Sequence, residues 1–460
     1  MRILVIHAAR PTTRQTTIDH LLSLRNHLPE HDVQYLHFQQ PLPGDVENVE
    51  TDLLVINYDY LNYRFSPLWP FMKKRHRTLA RSARRVVAIA QDDFWANVLL
   101  DNWCMDWGVD RILTPLESGL DKLYPRSIRS KEFRTVLTGY VPKGDPLETL
   151  DLRDRPIHLG QRVRAMSPHL GHIALRKAEQ SLAFAEALDQ RGFRVDVSAR
   201  AEDSFIGRAW IDFLASCQFT VGSKGGASMN DPYGLIYLKV QSYLRRHPNA
   251  PFSAVEKRCF RGLDGKNEFT AVSPRLFEAA RTRTCQILSR DTYLELLEPW
   301  QHYIPLDRDL RNLNEVSEVM RDIDRCQDIA DNCHQILVES GNFGYEKFVS
   351  QVIEGANDQS RLPDGSWTRL CSELESARQV YEDFGPEWHD LIVTYFTESL
   401  FRRRHRSRSR RTVQSSMNLS LSKVEGMMRS RLDPAWFESQ LSLYRNDPFA
   451  ARCPWPWRPV

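Results

Sequence analysis

The chain begins with short apolar runs that alternate with longer segments of mixed polarity. The apolar runs are predicted strands at 3–6, 33–38, 53–56, 86–90, 111–113 and 135–140. The segments 17–28, 70–83 and 96–107 are predicted helices, because their apolar residues recur at helical spacing. Strands that alternate with helices in this way indicate βαβ units and a parallel sheet. Residues 1–145 are therefore predicted to form one α/β domain.

A second cycle of the same pattern follows a charged segment at 143–155, which is the candidate linker. Predicted strands lie at 157–159, 193–197, 219–221, 286–288 and 302–306, and predicted helices at 173–191, 207–214, 235–245 and 276–280. Residues 156–335 are thus predicted to form a second domain, and both domains are expected to be Rossmann-like. Further helices are predicted at 343–353, 367–384 and 386–401, ahead of an arginine cluster from Arg402 to Arg411.

Composition narrows the class of protein. The apolar fraction of 42% fits a globular protein, and no run of eighteen apolar residues predicts a transmembrane helix. The first apolar run stops at His7, which is too short for the core of a signal peptide, so a cytoplasmic location is predicted. The eight cysteines lack metal-ligand spacing and are predicted to be reduced and mostly buried. The net charge of +3 alone indicates no partner.

The segment from Ser273 to Ala280 contains the most informative candidate residue. Ser273 and Pro274 are typical of a helix start, with serine as the cap and proline at the first helical position. Glu278 is then placed about one turn inside the helix. A carboxylate in that position can accept two hydrogen bonds from a vicinal diol such as that of a ribose. The alternative interpretation is a solvated Glu278 and a surface charge at Arg275.

Together with its downstream sequence, this segment resembles the donor-binding half of GT-B glycosyltransferases. The resemblance is to the group 1-like transferases, which include spore-maturation-type and polysaccharide-assembly enzymes, and it runs through residues 273–280, 287–288, 303–306 and 309–313. It implies an α/β fold of the GT-B type, with two Rossmann-like domains facing across a cleft and a C-terminal helical extension. The first domain would bind the acceptor and the second the nucleotide sugar. Residues 336–356 would return as a helix towards the first domain, and 357–460 would form a helical, arginine-rich tail.

The resemblance also implies roles for particular residues. Glu278 would bind the donor ribose, and Ser273 and Arg275 would shape the loop around the nucleotide or the sugar. Thr270 stands where many relatives have a glutamate, eight positions before the one that binds ribose. Whether the reaction retains or inverts the anomeric configuration therefore stays open.

Arg162 is a second candidate for contact with the donor. It follows the first predicted strand of the second domain, and the loops at that edge of a nucleotide-binding sheet face the ligand. A guanidinium there can grip two phosphate oxygens at once. The nearby cations are interpreted as ordinary solvated charges, namely Arg164, Arg176 and Lys177.

Gly225 and Gly226 follow the predicted strand at 219–221. A glycine pair lets the backbone approach a ligand closely, so both residues are candidates for the donor side of the cleft. A tight loop of purely structural use explains the pair equally well.

Candidate catalytic residues lie in the first domain. Asp92 and Asp93 directly follow the predicted strand at 86–90, at the sheet edge where α/β proteins place working residues. A carboxylate there could take the proton from an acceptor hydroxyl. The alternative is that one of them caps a helix starting near Phe94. His7, at the end of the first strand, is a further candidate base, although a lone histidine is more often structural.

The resemblance implies transfer of a sugar from a nucleotide-sugar donor to a carbohydrate or lipid-linked acceptor, in surface polysaccharide or glycolipid synthesis. No cofactor or metal is expected, since cationic side chains and helix N-termini stabilise a leaving diphosphate. The cluster Arg402–Arg411 beside an apolar helix suits an anionic membrane or, second, nucleic acid; a solvated run is the third interpretation. The alternative functions are a nucleotide-sugar epimerase and a non-catalytic scaffold or nucleic-acid-binding protein.

Overall fold

A computed structural model describes residues 1–9, 14–38, 42, 49–65, 69–144, 147–205, 207–357, 365–372 and 374. The arginine cluster at 402–411 and most of the predicted tail lie outside these residues. In the described part of the chain, no helix is long and apolar enough to cross a membrane. The seven cysteines described there are free thiols, and all but Cys371 are buried.

The first unit is a parallel sheet with helices on both faces. Its strands are Arg2–His7 (β1), Asp32–His37 (β2), Thr51–Ile56 (β3), Ala83–Ile89 (β4), Arg111–Thr114 (β5) and Glu132–Thr135 (β6). Its helices are Gln15–His27 (α1), Tyr58–Leu61 (α2), Trp69–Ser82 (α3), Asn97–Asp106 (α4) and Leu120–Leu123 (α5). The strand order is β2-β1-β3-β4-β5-β6. Buried clusters lie on both faces, which explains why the inner strands are apolar without alternation.

The second unit repeats this arrangement. Its strands are Ile157–Arg162 (β7), Val195–Ser198 (β8), Cys217–Gly222 (β9), Gly225–Ala227 (β10), Phe269–Ala271 (β11), Cys285–Ser289 (β12) and Ile304–Leu306 (β13). Its helices are His172–Asp189 (α6), Arg208–Ala215 (α7), Leu235–Arg246 (α8), Phe252–Cys259 (α9), Arg275–Arg281 (α10), Leu313–Val319 (α11) and Ile323–His334 (α12). The parallel sheet has the order β13-β12-β9-β7-β8, and β10 and β11 pair separately as an antiparallel ribbon.

Both parallel sheets reverse their direction of growth next to their first strand. In the first unit β1 lies between β2 and β3, and in the second unit β7 lies between β8 and β9. Such a switch point leaves a crevice at the carboxyl ends of the two central strands, where α/β proteins bind ligands. The crevices of the two units open into one shared cleft. The α/β fold of GT-B type, with Rossmann-like units facing across a cleft, is therefore confirmed in the described residues.

The chain returns to the first unit after α12. Helix Tyr345–Ile353 (α13) packs on the first sheet, and Phe348 is buried in the same cluster as Ile3 and Val5. Residues 365–372 are also helical, and Trp367 Nε1 donates a hydrogen bond of 2.7 Å to Asp32 Oδ2. The C-terminal part of the described chain thus contributes to the core of the first unit.

One local prediction is wrong, and one predicted segment has an additional structural role. The predicted strand at 135–140 instead ends at Thr135, because the chain then crosses to the second unit, where Thr138 Oγ1 donates to the carbonyl of Val272 at 2.7 Å. The candidate linker at 143–155 lies between β6 and β7, and its last residue is anchored in the second unit. The buried Arg155 donates to the carbonyls of Leu150, Cys217 and Thr282 and to Thr284 Oγ1 at 2.9 to 3.0 Å.

Candidate functional site

A cleft of about 540 Å³ lies between the two units. On the first unit it is lined by the start of α1, by Tyr58 and by the loop that follows β4. On the second unit it is lined by the end of β7, the first turns of α6, the β10 ribbon and α10. These segments are the ones that the two switch points bring together, so the topology of the sheets places the cleft.

Helix α10 supplies the carboxylate of the cleft. Leu276 and Phe277 are buried beneath the helix, so that Arg275 and Glu278, three positions apart, both face the cleft. Glu278 Oε1 accepts a hydrogen bond of 2.6 Å from Thr16 Oγ1 of the first unit. Its Oε2 accepts one of 2.7 Å from Trp210 Nε1. Glu278 therefore joins the two units at the position predicted to meet a ribose.

The start of α10 differs from the prediction. The helix begins at Arg275 with Pro274 as its cap, and no side chain caps it, so the predicted capping role of Ser273 is wrong. The carbonyl of Ser273 instead accepts the backbone hydrogen bond of Leu276 at 3.0 Å. Ser273 still lies on the wall of the cleft.

Two half-buried cations, Arg275 and Lys177, lie beside Glu278. Arg275 Nη1 donates to Gln161 Oε1 at 2.7 Å, and its guanidinium lies 4.9 Å from the ring centre of Trp210. Lys177 on α6 is 3.4 Å from the carbonyl of Ser223. Burial lowers the pKa of Arg275 to about 10. Burial, with repulsion from Arg275, lowers the pKa of Lys177 to about 7.

Neither cation forms an ion pair with the described part of the chain. Among the residues that the structure describes, neither Arg275 nor Lys177 forms an ion pair, and Glu278 acts on both only at longer range. Arg14 at the start of α1 adds a third positive charge to the cleft from the first unit. A buried charge without a partner is costly, so this corner of the cleft favours an anionic ligand.

Arg162 lines the cleft, but its guanidinium is engaged by other groups of the second unit. It is the last residue of β7, and its guanidinium forms a 2.8 Å ion pair with Asp196 and stands over the rings of Phe205 and Phe213. It also donates to the carbonyls of Gln161, Asp196 and Asp203. These contacts occupy the guanidinium within the second unit. The phosphate-binding role of Arg162 stays a prediction.

The glycine pair forms a strand rather than a loop. Gly225 and Gly226 begin β10, which pairs with β11 and lines the cleft. Gly226 has a φ of 152°, and a Cβ on it would stand 1.9 Å from the carbonyl oxygen of Phe269. A Cβ on Gly225 would meet no atom within 4 Å. Gly226 thus permits the close approach of its partner strand, and contact of either glycine with the donor stays a prediction.

The two glycines provide a matched test. Gly226→Ala is expected to lower the free energy of unfolding by about 2 kcal/mol, because the new methyl group forces the ribbon apart. Gly225→Ala, at the neighbouring open position, is expected to change it by less than about 0.5 kcal/mol. Urea unfolding of both variants measures the two changes. Equal losses in the free energy of unfolding would contradict this account of the ribbon.

The loop after β4 places Asp92 and Asp93 in different surroundings. Asp92 faces the cleft with a φ of 55°, and Arg64 holds the loop by donating to the carbonyls of Gln91 and Asp92 at 3.0 and 2.8 Å. Asp92 is open to solvent within the cleft, yet protein atoms enclose most of its surroundings. This enclosure raises the pKa of Asp92, while Arg64 and Arg14 oppose the shift.

Asp93 has a structural position. Its Oδ2 accepts hydrogen bonds from Thr114 Oγ1 at 2.5 Å and Tyr124 OH at 2.7 Å, and the side chain is fully buried. Burial raises the pKa of Asp93, and these hydrogen bonds oppose the rise. The predicted catalytic role of Asp93 is not supported. The capping alternative is wrong for both aspartates, because α4 begins at Asn97 with Ala96 as its cap.

His7 is not among the residues that line the cleft. Its ring packs edge-on against Tyr35 and His37, with ring centres 6.1 and 5.3 Å apart. The first strand therefore ends in an aromatic cluster beside β2, and a catalytic role for His7 is not supported.

The sequence interpretation missed four residues of the site. Lys177 was taken for a solvated charge, although its place on the helix that follows the first strand of a Rossmann-like unit marks it for the ligand edge. Thr16 and Arg14 carry no local signal, since they meet Glu278 or the cations only through the packing of the two units. Trp210 carries none either, because it reaches Glu278 only when α7 and α10, which are distant in sequence, come together within the second unit. Within the described residues, no group of three His, Cys, Asp or Glu side chains is arranged to hold a metal ion.

No protein-family model and no curated protein matches the chain. Among solved structures it is similar to an alpha-glucosyltransferase in complex with UDP and a 13-mer DNA containing a HMU base, with a TM-score of 0.45 and 11% identity over 76% of this chain and 97% of that one. HepE from Anabaena in complex with UDP and glucose gives a TM-score of 0.43 and 12% identity over 77% and 98%. TarM gives a TM-score of 0.39 and 6% identity over 68% of this chain and 57% of that one. Similarity at this level assigns no substrate.

Proposed function

We propose that this protein is a glycosyltransferase that binds a nucleotide sugar in the second unit and transfers its sugar to a hydroxyl acceptor held by the first. The observation that carries the proposal is the pair of half-buried cations, Arg275 and Lys177, which form no ion pair in the described chain and lie beside Glu278. A nucleotide sugar fits this arrangement. Its diphosphate neutralises the cations, and its ribose diol can donate to the carboxylate.

The proposed reaction breaks the bond between the anomeric carbon and the diphosphate oxygen. The oxygen of the acceptor hydroxyl forms the new bond to that carbon, and its proton passes to a base. Arg275 and Lys177 stabilise the negative charge that develops on the leaving diphosphate. Asp92 is the proposed base, because it faces the cleft from the first unit and its pKa is raised towards the range of a proton acceptor.

These cations are also the reason to propose catalysis without a metal. They supply fixed positive charge at the leaving group, which is the task that a divalent cation would otherwise perform. Transfer should therefore persist in excess EDTA. Loss of activity with EDTA and its return with Mg²⁺ would contradict this part of the proposal.

For the acceptor we propose a carbohydrate or lipid-linked hydroxyl compound of surface polysaccharide or glycolipid synthesis. The first-unit wall is compatible with this class, because the largely buried side chains of Tyr58, Phe94 and Leu116 form part of it. Contact of the segment Arg402–Arg411 with an anionic membrane stays a prediction, since that segment lies outside the described residues.

Ligand binding tests the proposal directly. The full chain is heated with a panel of nucleoside diphosphates, beginning with uridine diphosphate, and at least one should raise Tm because it binds the folded state alone. The nucleotide sugar of that base is then incubated with and without candidate acceptors. Release of diphosphate with formation of a glycoside is the expected result, and the anomer of the product decides the stereochemistry. No shift of Tm with any nucleotide at millimolar concentration would overturn the proposal. An epimerised sugar nucleotide would assign the epimerase function instead.

A further inference from the structure

A surface beside the cleft exposes apolar and positively charged side chains together. It belongs to the segment 233–266, called here the α8–α9 hairpin, which connects β10 to β11. Three large apolar side chains at its start are more than half exposed, namely Tyr233 at 58%, Leu235 at 64% and Leu238 at 60%. Exposed apolar residues are ordinary when scattered, but a cluster within one helical turn marks an interaction surface.

These residues are not needed for the hairpin's own core. Val240 on the opposite side of α8 is fully buried and packs with Val255, Cys259 and Phe260. The inner side of α8 thus already has the apolar stripe that a globular helix requires. Leu235 and Leu238, three positions apart, form a second apolar face that points outward.

The same hairpin holds an excess of positive charge. Seven basic residues against two acidic ones give 7 − 2 = +5, more than the +3 of the whole chain, and the basic residues are Lys239, Arg245, Arg246, Lys257, Arg258, Arg261 and Lys266. All seven are exposed, and within the described residues none forms an ion pair. Of the two acidic residues, Asp264 is paired with His172 at 2.9 Å. The positive charge is therefore available to an external anionic surface.

The hairpin is fixed to the mouth of the cleft. The amide of Ala96 donates to the carbonyl of Asp231 at 2.7 Å, and the rings of Trp95 and Tyr237 lie 4.8 Å apart. Trp95 belongs to the loop that brings Asp92 and Phe94 to the cleft. Whatever binds the outer face of α8 is therefore held next to the acceptor side.

We infer that the α8–α9 hairpin docks this protein on an anionic membrane surface. The outward leucines and Tyr233 enter the boundary between headgroups and acyl chains, and the surrounding lysines and arginines contact anionic headgroups. The charge alone would also suit nucleic acid, but a duplex offers its phosphates to cations and gives three outward apolar side chains nothing to bury. Docking itself does not depend on the proposed sugar transfer. The conclusion that docking presents a lipid-borne acceptor to the cleft does rest on it.

Co-sedimentation of the full chain with vesicles tests the surface. Vesicles of phosphatidylcholine that contain about 30% phosphatidylglycerol provide anionic headgroups, and vesicles of pure phosphatidylcholine are the control. The variant L235Q/L238Q is expected to partition about tenfold less onto anionic vesicles. The partitioning of the variant K239Q/R245Q/R246Q onto anionic vesicles should fall by about fivefold for each removed cation that contacts the headgroups fully. A matched control, L150Q/L296Q, removes exposed leucines far from the hairpin in sequence and should bind like the parent.

Hydrogen exchange separates the hairpin from the tail, because Arg402–Arg411 is present in the parent and in every variant. Anionic vesicles are expected to slow exchange at the amides of 233–246. Equal vesicle binding by parent and variants, with no such protection, would overturn the inference. Protection by a DNA duplex but not by vesicles would assign the surface to nucleic acid. Protection that rises with protein concentration alone would assign it to a second copy of the chain. Because no nucleotide sugar is used, failure here leaves the test of the proposed function untouched.

Discussion

Replacing Lys177 with methionine is expected to weaken nucleoside diphosphate binding by about a hundredfold while making the folded protein more stable. The loss of affinity follows from the removal of a half-buried cation that meets the diphosphate, since a charge-assisted contact of this kind contributes about 2 to 3 kcal/mol. The gain in stability follows from its burial. Lys177 lies in the cleft without an ion pair in the described chain, and its pKa is lowered from 10.5 to about 7.

The sign of the stability effect depends on pH. Between pH 7 and 10.5 the unfolded chain holds a proton on Lys177 that the folded chain has released. Stability due to this group therefore rises with pH across that window, and its cost is complete below pH 7. The free energy of unfolding of Lys177→Met should be about 2 to 4 kcal/mol higher than that of the parent at pH 6. The difference should be much smaller near pH 10.

Two measurements check the effects of Lys177→Met together. Calorimetric titration with the nucleoside diphosphate gives the affinity, and urea unfolding at several pH values gives the stability. In the parent, affinity should also fall as pH rises above 7, because the protonated lysine is the binding form. Arg176→Met, one residue away and outside the lining of the cleft, is the control and should retain binding. A Lys177→Met protein that binds as tightly as the parent would remove Lys177 from the site.

The sequence predicted the layered architecture well because its signals are local. Apolar runs such as 3–6 and 53–56 are strands buried on both faces, and their composition shows it without any tertiary information. The edge strand Glu132–Thr135 was misplaced because it exposes charged side chains and lacks that signal. The β10–β11 ribbon was missed for a related reason, since Gly225 and Gly226 have low strand propensity and pair with a segment more than forty residues away.

The candidate site was predictable only where position in a Rossmann-like unit determines the environment. Glu278 and Asp92 follow strands or begin helices at the ligand edge, and both do face the cleft. The surroundings of Arg162 and Lys177 differ from the expected ones, because the pairing of a cation depends on partners that are distant in sequence. Asp196 and two phenylalanines engage Arg162, whereas no carboxylate of the described chain pairs with Lys177. Asp93 differs from Asp92 only by pointing the other way, towards Thr114 and Tyr124.

Replacing Glu278 with alanine is expected to remove the preference for ribose over 2′-deoxyribose. If the carboxylate binds the diol, the parent should bind a ribonucleoside diphosphate about 10 to 100 times more tightly than its 2′-deoxy form, since a site built for a hydroxyl leaves a buried acceptor unpaired without it. Glu278→Ala should lower affinity for the ribonucleotide by a similar factor and bind both forms about equally.

A comparison of two nucleotides distinguishes this role from a structural one. Glu278 also accepts hydrogen bonds from Thr16 and Trp210, so its removal alters the contact between the units as well. Loss of that contact alone would lower the affinities for both nucleotides by the same factor and leave the ratio of the two affinities unchanged. Thr16→Val breaks only the 2.6 Å bond to Glu278 and should keep the preference for ribose. A Glu278→Ala protein that retains the full preference would show that the diol is bound elsewhere, and the half-buried cations would then have to be explained by a different anion.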